Sequence, residues 1–358
     1  MSKVLGVVST PYHLLVFLFV KDAFLSTDEV DLIVTDKTPS MVELYKSGRL
    51  TPYFHKVSFA DATKIKNPYK SAPVTFWESF IHNKTTDIIL DAPLPTYDKV
   101  YFSAPAAPDE IVKEIAKTLI KRNKKITFHR FEDGFASYTK TPIHIINTPS
   151  GENMYRMLFG YNIKETEKEI LMFRPEMAEK NVCFHKVLIP QTPQRIEKIT
   201  KIAKEIFQFK ANPPKEPIIF LGQGTENGSE NPKTYQRLIL KLRDIVGQEN
   251  FTIKPHPRGT HDNFHGELSV YQDSCPFELA IASGAYEDKT LVSFYSTACV
   301  AGKLLFQSKC RIIFLYPLAE DSFNEKCDYE NYFNVLSSLC DNVFIARSWE
   351  EVETLMHT

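Results

Sequence analysis

Three prolines fall within the eight residues Lys210-Ala211-Asn212-Pro213-Pro214-Lys215-Glu216-Pro217. Proline fixes φ and removes a backbone donor, so neither a helix nor a central strand runs through this stretch. It divides a chain of 358 residues, more than one hydrophobic core usually serves, into two lengths that each suit a domain. The expected organisation is an N-terminal domain over 1–209, a Pro-rich linker over 210–217 and a C-terminal domain over 218–358.

Both lengths alternate between the same two kinds of segment. Before the linker, apolar runs of strand length occur at 4–9, 30–35, 54–58, 99–103, 125–130 and 186–189, separated by stretches long enough for crossover helices. Thr10 caps the first helix and Pro11 takes its first position, where a missing N–H costs nothing. Pro108-Asp109-Glu110 opens another helix that Lys121 to Lys125 closes, 150–182 carries helical patterns, and Pro193 opens an amphipathic helix through Phe207. After the linker, strands are expected at 218–221, 251–254, 291–293, 310–315 and 342–346. Helices are expected at 233–246, from Pro276-Phe277-Glu278, from Tyr295 and at 349–356. This is α/β alternation, predicting two doubly wound parallel sheets with helices on both faces. The first strand-helix turn lacks the glycine-rich dinucleotide fingerprint, which argues against classical NAD binding there.

Hydrophobic residues make up 43% and charged residues 24%, and the net charge is −1. These values fit a soluble globular protein and give no electrostatic case for a nucleic-acid partner. The largest basic run, Lys121-Arg122-Asn123-Lys124-Lys125, suits a helix C-terminus. Cysteines at 183, 275, 299, 310, 327 and 340 form no C-x-x-C pair, so they read as reduced thiols of a cytoplasmic protein. The N-terminal apolar run breaks at Thr10-Pro11 and fits a strand and helix better than a signal peptide, and no stretch reads as a membrane span.

The polar motifs collect where strands end. Phe251 to Lys254 reads as a buried strand that Pro255 and Pro257 force out of the sheet, so His256 is held at its mouth between Lys254 and Arg258, a setting suited to a phosphate. After 218–221 comes Gly222-Gln223-Gly224-Thr225-Glu226, a loop that lets backbone amides approach an anion. Ser296 and Thr297 open a small-residue helix, either as caps or as a phosphate cradle, and Glu278 lies in another helix's first turn. In the N-terminal half Phe131-Glu132-Asp133-Gly134 follows a strand, and is either a simple Asp-Gly turn or a carboxylate that takes a proton from a hydroxyl. Thr10 and Tyr12 belong to the same end of that half. No Asp-x-Asp occurs anywhere, so no metal-binding residues are proposed and metal-independent chemistry is expected.

Two doubly wound Rossmann-type domains facing across a cleft form the GT-B outline of nucleotide-sugar transferases. Phe131-Glu132-Asp133-Gly134, Leu221-Gly222-Gln223, Pro255-His256-Pro257-Arg258, Ser293-Phe294-Tyr295-Ser296-Thr297 and the opening Thr10-Pro11-Tyr12-His13-Leu14-Leu15 together resemble bacterial sialyltransferases, most closely glycosyltransferase family 52. The resemblance implies inverting transfer of sialic acid from CMP-sialic acid to a galactose-type hydroxyl of a surface glycan, with no cofactor. It makes His256, Ser296 and Thr297 the phosphate partners and Glu278 the ribose partner, with Gly222, Gln223, Lys254, Pro257 and Arg258 around the donor. It makes Asp133 the base. Some family members place the base after the Leu-Gly strand, where this chain has Glu226; Asp133 is favoured because the other motifs put the nucleotide in the C-terminal half. The anchoring extension of some relatives is missing, which implies a cytoplasmic enzyme working at the inner membrane face. Peripheral membrane contact, a homodimer, another nucleotide-sugar donor and a non-catalytic glycan-binding role stay open.

Overall fold

A computed structural model describes residues 1–61, 90–103, 111, 115, 118–119, 122–123, 125–138, 169–178, 185–222, 232–256, 267–271, 276–322 and 326–357. It divides into two compact units, Met1–Phe207 and Gln208–Thr358. The helix start expected at Pro108 and the site residues Gln223, Glu226, Pro257 and Arg258 lie outside the described residues.

The first unit runs β1 (Lys3–Val8), α1 (Pro11–Phe24), β2 (Glu29–Thr35), α2 (Pro39–Lys46), β3 (Lys56–Ala60), β4 (Lys99–Ser103), β5 (Thr127–Phe131), β6 (Glu169–Met172), β7 (His185–Leu188) and α3 (Pro193–Phe207). Its seven strands lie in the order β3-β2-β1-β4-β5-β6-β7 and pair in parallel throughout. β1 lies inside the sheet between β2 and β4 and is buried over Val4 to Val8, as expected of a strand covered on both faces. Gly6 sits under Phe17 of α1, and a Cβ there would overlap the ring, so helix and strand pack closely. Phe17 in turn meets Phe54, Tyr101 and Phe131 at ring-centroid distances of 6.1, 6.3 and 5.8 Å. α3 joins this unit through Arg195 and Lys198, whose side chains donate to the Asp22 carboxylate of α1 at 2.7 and 2.5 Å.

The strands read from the sequence in this half are present, displaced by two residues or fewer. The helical patterns of 150–182 do not extend to Glu169–Met172, which is a strand between β5 and β7. Its apolar run is too short to carry a period, and pairing on both sides decides its conformation.

The second unit runs β8 (Ile218–Leu221), α4 (Pro232–Val246), β9 (Phe251–Lys254), β10 (Ser269–Val270), α5 (Phe277–Ala282), β11 (Thr290–Ser293), α6 (Thr297–Phe306), β12 (Arg311–Phe314), α7 (Lys326–Leu339), β13 (Val343–Ile345) and α8 (Trp349–His357). Six parallel strands take the order β10-β9-β8-β11-β12-β13. Phe220, Phe251, Ile253, Val292, Phe294 and Ile313 bury their side chains against Ile239 and Leu242 of α4. The two-residue edge strand β10 gives no sequence signal, because both of its side chains are exposed. Glu216 and Lys215, at the end of the Pro-rich segment, bond to Ser269 and Lys289 at 2.7 and 3.3 Å, which ties that segment's end to this unit.

Candidate active site

In an open parallel sheet the strand order reverses once, and the crevice outside the carboxyl ends at that point is where ligands bind. The first sheet reverses between β1 and β4, the second between β8 and β11. Among the described residues, Thr10 and Tyr12 lie just beyond β1 in the first unit, and Gly222, His256 and Ser296 lie just beyond the strand ends of the second.

At the first reversal, Ser9 and Thr10 follow β1, and α1 begins at once. The Thr10 hydroxyl accepts from the His13 N–H at 3.2 Å, the cap expected from its residue type. Tyr12 and His13, side by side in the first turn, reach past β4 to two adjacent carboxyls beyond β5. The Tyr12 hydroxyl donates to Glu132 Oε1 at 2.6 Å, and His13 Nε2 bonds to Asp133 Oδ1. Glu132 is fully buried and also accepts from the Tyr138 hydroxyl and from the Phe173 N–H, the latter at 3.0 Å. Burial pushes the Glu132 carboxyl above its ordinary value, against the pull of these donors, and the nearby Asp133 charge acts in the same direction as burial.

Asp133 faces outward, its side chain 23% exposed against 3% for His13. The chain can turn there because Gly134 has φ +65°, a conformation glycine adopts freely. The Asp133 N–H then donates to Ser137 Oγ at 2.7 Å across the short turn that follows. The Asp-Gly pair is thus both a turn and the presentation of a carboxylate.

At the second reversal three strand ends converge. Gly222, just past β8, donates its N–H to Lys254 O at 2.9 Å. A Cβ on Gly222 would lie 3.3 Å from His256 N, Lys254 O and Pro255 Cα, so a larger residue would separate the two strand ends. His256 is half-buried two residues beyond β9. From β11, Ser293 Oγ donates to Leu221 O and accepts from the Ser296 N–H, both at 3.0 Å. Ser296 is the cap of α6, its hydroxyl accepting from the Ala298 N–H at 3.4 Å, and Thr297 is the first residue of that helix. A helix of this length presents unpaired N–H groups and a positive dipole end at its start, the usual complement of a phosphate.

Glu278 is half-buried in the first turn of α5, as its position after Pro276 led one to expect. Burial pushes its carboxyl above the ordinary range, with the Lys254 charge opposing. The Lys254 ammonium lies 5.7 Å from the ring centroid of Phe277, next to it on the same helix.

His13, Tyr138 and Ser293 carry the geometry of these sites, yet none was singled out in the sequence for a role. His13 and Asp133 are 120 residues apart, and no short-range pattern links them. The one sign was a histidine within an otherwise apolar helix. Among the described residues one group, Glu29, Asp31 and His55, could offer three atoms to a metal. Lys3 already pairs with Glu29 at 2.9 Å and the Tyr97 hydroxyl with Asp31 at 2.8 Å. The group also lies at the start of β2, the opposite end of the sheet from Asp133.

The sequence model of the family described as Alpha-2,8-polysialyltransferase (POLYST) matches residues 5–312. No curated protein matches the chain by sequence. Among solved structures, the glycotransferase of kitacinnamycin is similar over 100% of this chain and 91% of its own, with a TM-score of 0.52 at 9% identity. The alpha/beta-galactoside alpha-2,3-sialyltransferase of the luminous marine bacterium Photobacterium phosphoreum is similar over 96% of this chain and 98% of its own, with a TM-score of 0.50 at 13% identity. At such identities the likeness is one of fold, that of the GT-B glycosyltransferases.

Proposed function

Since the chain belongs to the alpha-2,8-polysialyltransferase family and is a glycosyltransferase of the sialyltransferase type, we propose that it moves sialic acid from CMP-sialic acid to a glycan hydroxyl with inversion and without a metal. The observation that carries the donor assignment is the convergence of Gly222, His256 and the capped start of α6 at the second reversal point. A CMP leaving group departs as a phosphate monoester anion, so the chemistry needs fixed donors on that anion and a base on the acceptor more than it needs a strong acid.

The acceptor hydroxyl oxygen attacks the anomeric carbon from the face opposite the CMP phosphate. The bond from that carbon to the phosphate oxygen breaks, and its electron pair leaves with CMP. Asp133 takes the hydroxyl proton. The α6 N–H groups and His256 hold the departing phosphate, and each such donor lowers the barrier by about 3 kcal/mol on the precedent of oxyanion holes. Gly222 lets the chain approach the donor closely, with Gln223, Lys254, Pro257 and Arg258 completing its surroundings, and Glu278 takes the ribose hydroxyls. Glu226 is the competing base. Thr10 and Tyr12 support the acceptor end.

The acceptor we assign is a galactose-type hydroxyl of a bacterial lipooligosaccharide or capsule glycan. The family description favours a second reading, in which the acceptor is itself a terminal sialic acid. Among the described residues Cys299, Cys310 and Cys340 form no disulfide, in keeping with a reducing cytoplasmic setting, and the acceptor's lipid carrier would bring the protein to the inner membrane face. Among the described residues no helix is long and apolar enough to cross a membrane.

The test is incubation with CMP-sialic acid and two acceptors, one ending in galactose and one in sialic acid, with products identified by mass and by anomeric configuration. The expected result is CMP release with a sialylated product of inverted configuration, lost in His256→Ala. Consumption of a UDP sugar, with CMP-sialic acid untouched, would overturn the reading.

A further inference from the structure

We propose that His13 is the positioning residue of the Asp133 base, held as the neutral Nε2–H tautomer, and that it does not relay protons. The inference rests on the reading of Asp133 as base, and extends it to a residue which that reading does not include.

The tautomer follows from the two partners of one ring. The Ser9 N–H donates to His13 Nδ1 at 3.3 Å, so Nδ1 must carry its lone pair. The ring proton is therefore on Nε2, which donates to Asp133 Oδ1. A doubly protonated ring would set Nδ1–H against Ser9 N–H, donor against donor, at a site where the ring is only 3% exposed. The ring's orientation is set independently by packing, edge-on to Phe131 at 6.3 Å and 75°. Its backbone is set by the Thr10 cap. Three constraints from β1, α1 and β5 thus hold one N–H on one carboxylate oxygen.

Among the described residues the Asp133 carboxylate has no partner besides His13, so Oδ2 is the oxygen that accepts the hydroxyl proton. With Nδ1 occupied by Ser9, His13 has no second site through which a proton could pass, and the proton stays on Asp133 until product leaves. The arrangement resembles a metal-ligand histidine steered by its other nitrogen, with a carboxylate in the place of the metal. A base displaced by about 1 Å loses about 100-fold in rate while substrate binding is little affected.

The test compares His13→Phe, which keeps a packed ring without a donor, with His13→Gln, whose amide restores an N–H near the Nε2 position. Asp133→Asn is assayed beside them. We expect His13→Phe to lose about 10- to 100-fold in kcat with the KM for CMP-sialic acid within about twofold of wild type, and His13→Gln to recover most of the loss. Selective nitrogen-15 labelling of the histidines in the wild-type protein should show His13 with a protonated Nε2 and an unprotonated Nδ1. A folded His13→Phe protein at wild-type kcat, a His13→Gln protein no better than His13→Phe, or a protonated Nδ1 would each overturn the proposal. If His13→Phe fails to fold, the His13→Gln rate and the nitrogen spectrum decide it alone. An active Asp133→Asn protein would instead sink the reading of Asp133 as base, a separate outcome from any of these.

Discussion

A single hydroxyl, that of Ser293, joins the end of β8 to the start of α6 with one donated and one accepted bond. In Ser293→Ala the Ser296 N–H and the Leu221 carbonyl both lose a partner inside the protein, which costs about 1–3 kcal/mol. We expect that loss in urea unfolding, together with about tenfold weaker CMP binding as the helix start shifts from the phosphate position. Unchanged affinity would show that α6 does not hold the donor. Glu132 offers a pH test at the same scale. Its carboxyl is raised by burial, so the folded protein binds this proton more tightly than the unfolded chain does. The stability it contributes is fully present below the ordinary value of 4.5 and is lost as pH rises through the raised value. Unfolding free energies from about pH 4 to about pH 8 should therefore show wild type losing ground to Glu132→Gln as pH rises. A wild type that gains on the variant over this range would contradict the account. Residue types at strand ends flagged Asp133, His256 and Ser296 in advance, because turns, prolines and caps are local. The partners His13 and Ser293 were not legible, because a histidine in an apolar helix and a serine at a strand end are commonplace until the third dimension joins them.

Elements are the best-read scale. β1 and α1 follow from an apolar run, a Thr-Pro stop and a second apolar stretch, and each is found where those signals put it. β6 and β10 were missed for opposite reasons. β6 is buried but only four residues long, while β10 is exposed and pairs only at the sheet edge. The close fit of α1 on β1 makes its own prediction. A methyl group at Gly6 would overlap Phe17, whose ring is locked among three other aromatics, so neither can move without disturbing the layer beneath His13 and Asp133. Gly6→Ala should destabilise the protein by about 1–3 kcal/mol as an overpacked core. Unfolding at the wild-type denaturant midpoint would show that the helix shifts freely, and the rigid support claimed for Asp133 would be lost with it.

At the scale of the whole molecule, each unit is a parallel sheet with one reversal of strand order, and each reversal carries one polar cluster. On the proposed function the base, Asp133, belongs to the first unit and the phosphate donors to the second. The proposed donors on the phosphate are all protein groups and the sequence holds no Asp-x-Asp, so that reading predicts transfer that persists in excess EDTA. Complete loss restored by added magnesium would require a different phosphate site. The proposed function requires that the second unit bind CMP. The most direct measurement is the melting temperature of the full chain with CMP, UDP or GDP, since a ligand at about 100 times its Kd adds about 2.7 kcal/mol of stability. CMP should raise the melting temperature, the other two should leave it unchanged, and His256→Ala should abolish the CMP effect while melting close to the unliganded wild type. A rise with UDP or GDP and none with CMP would contradict the account.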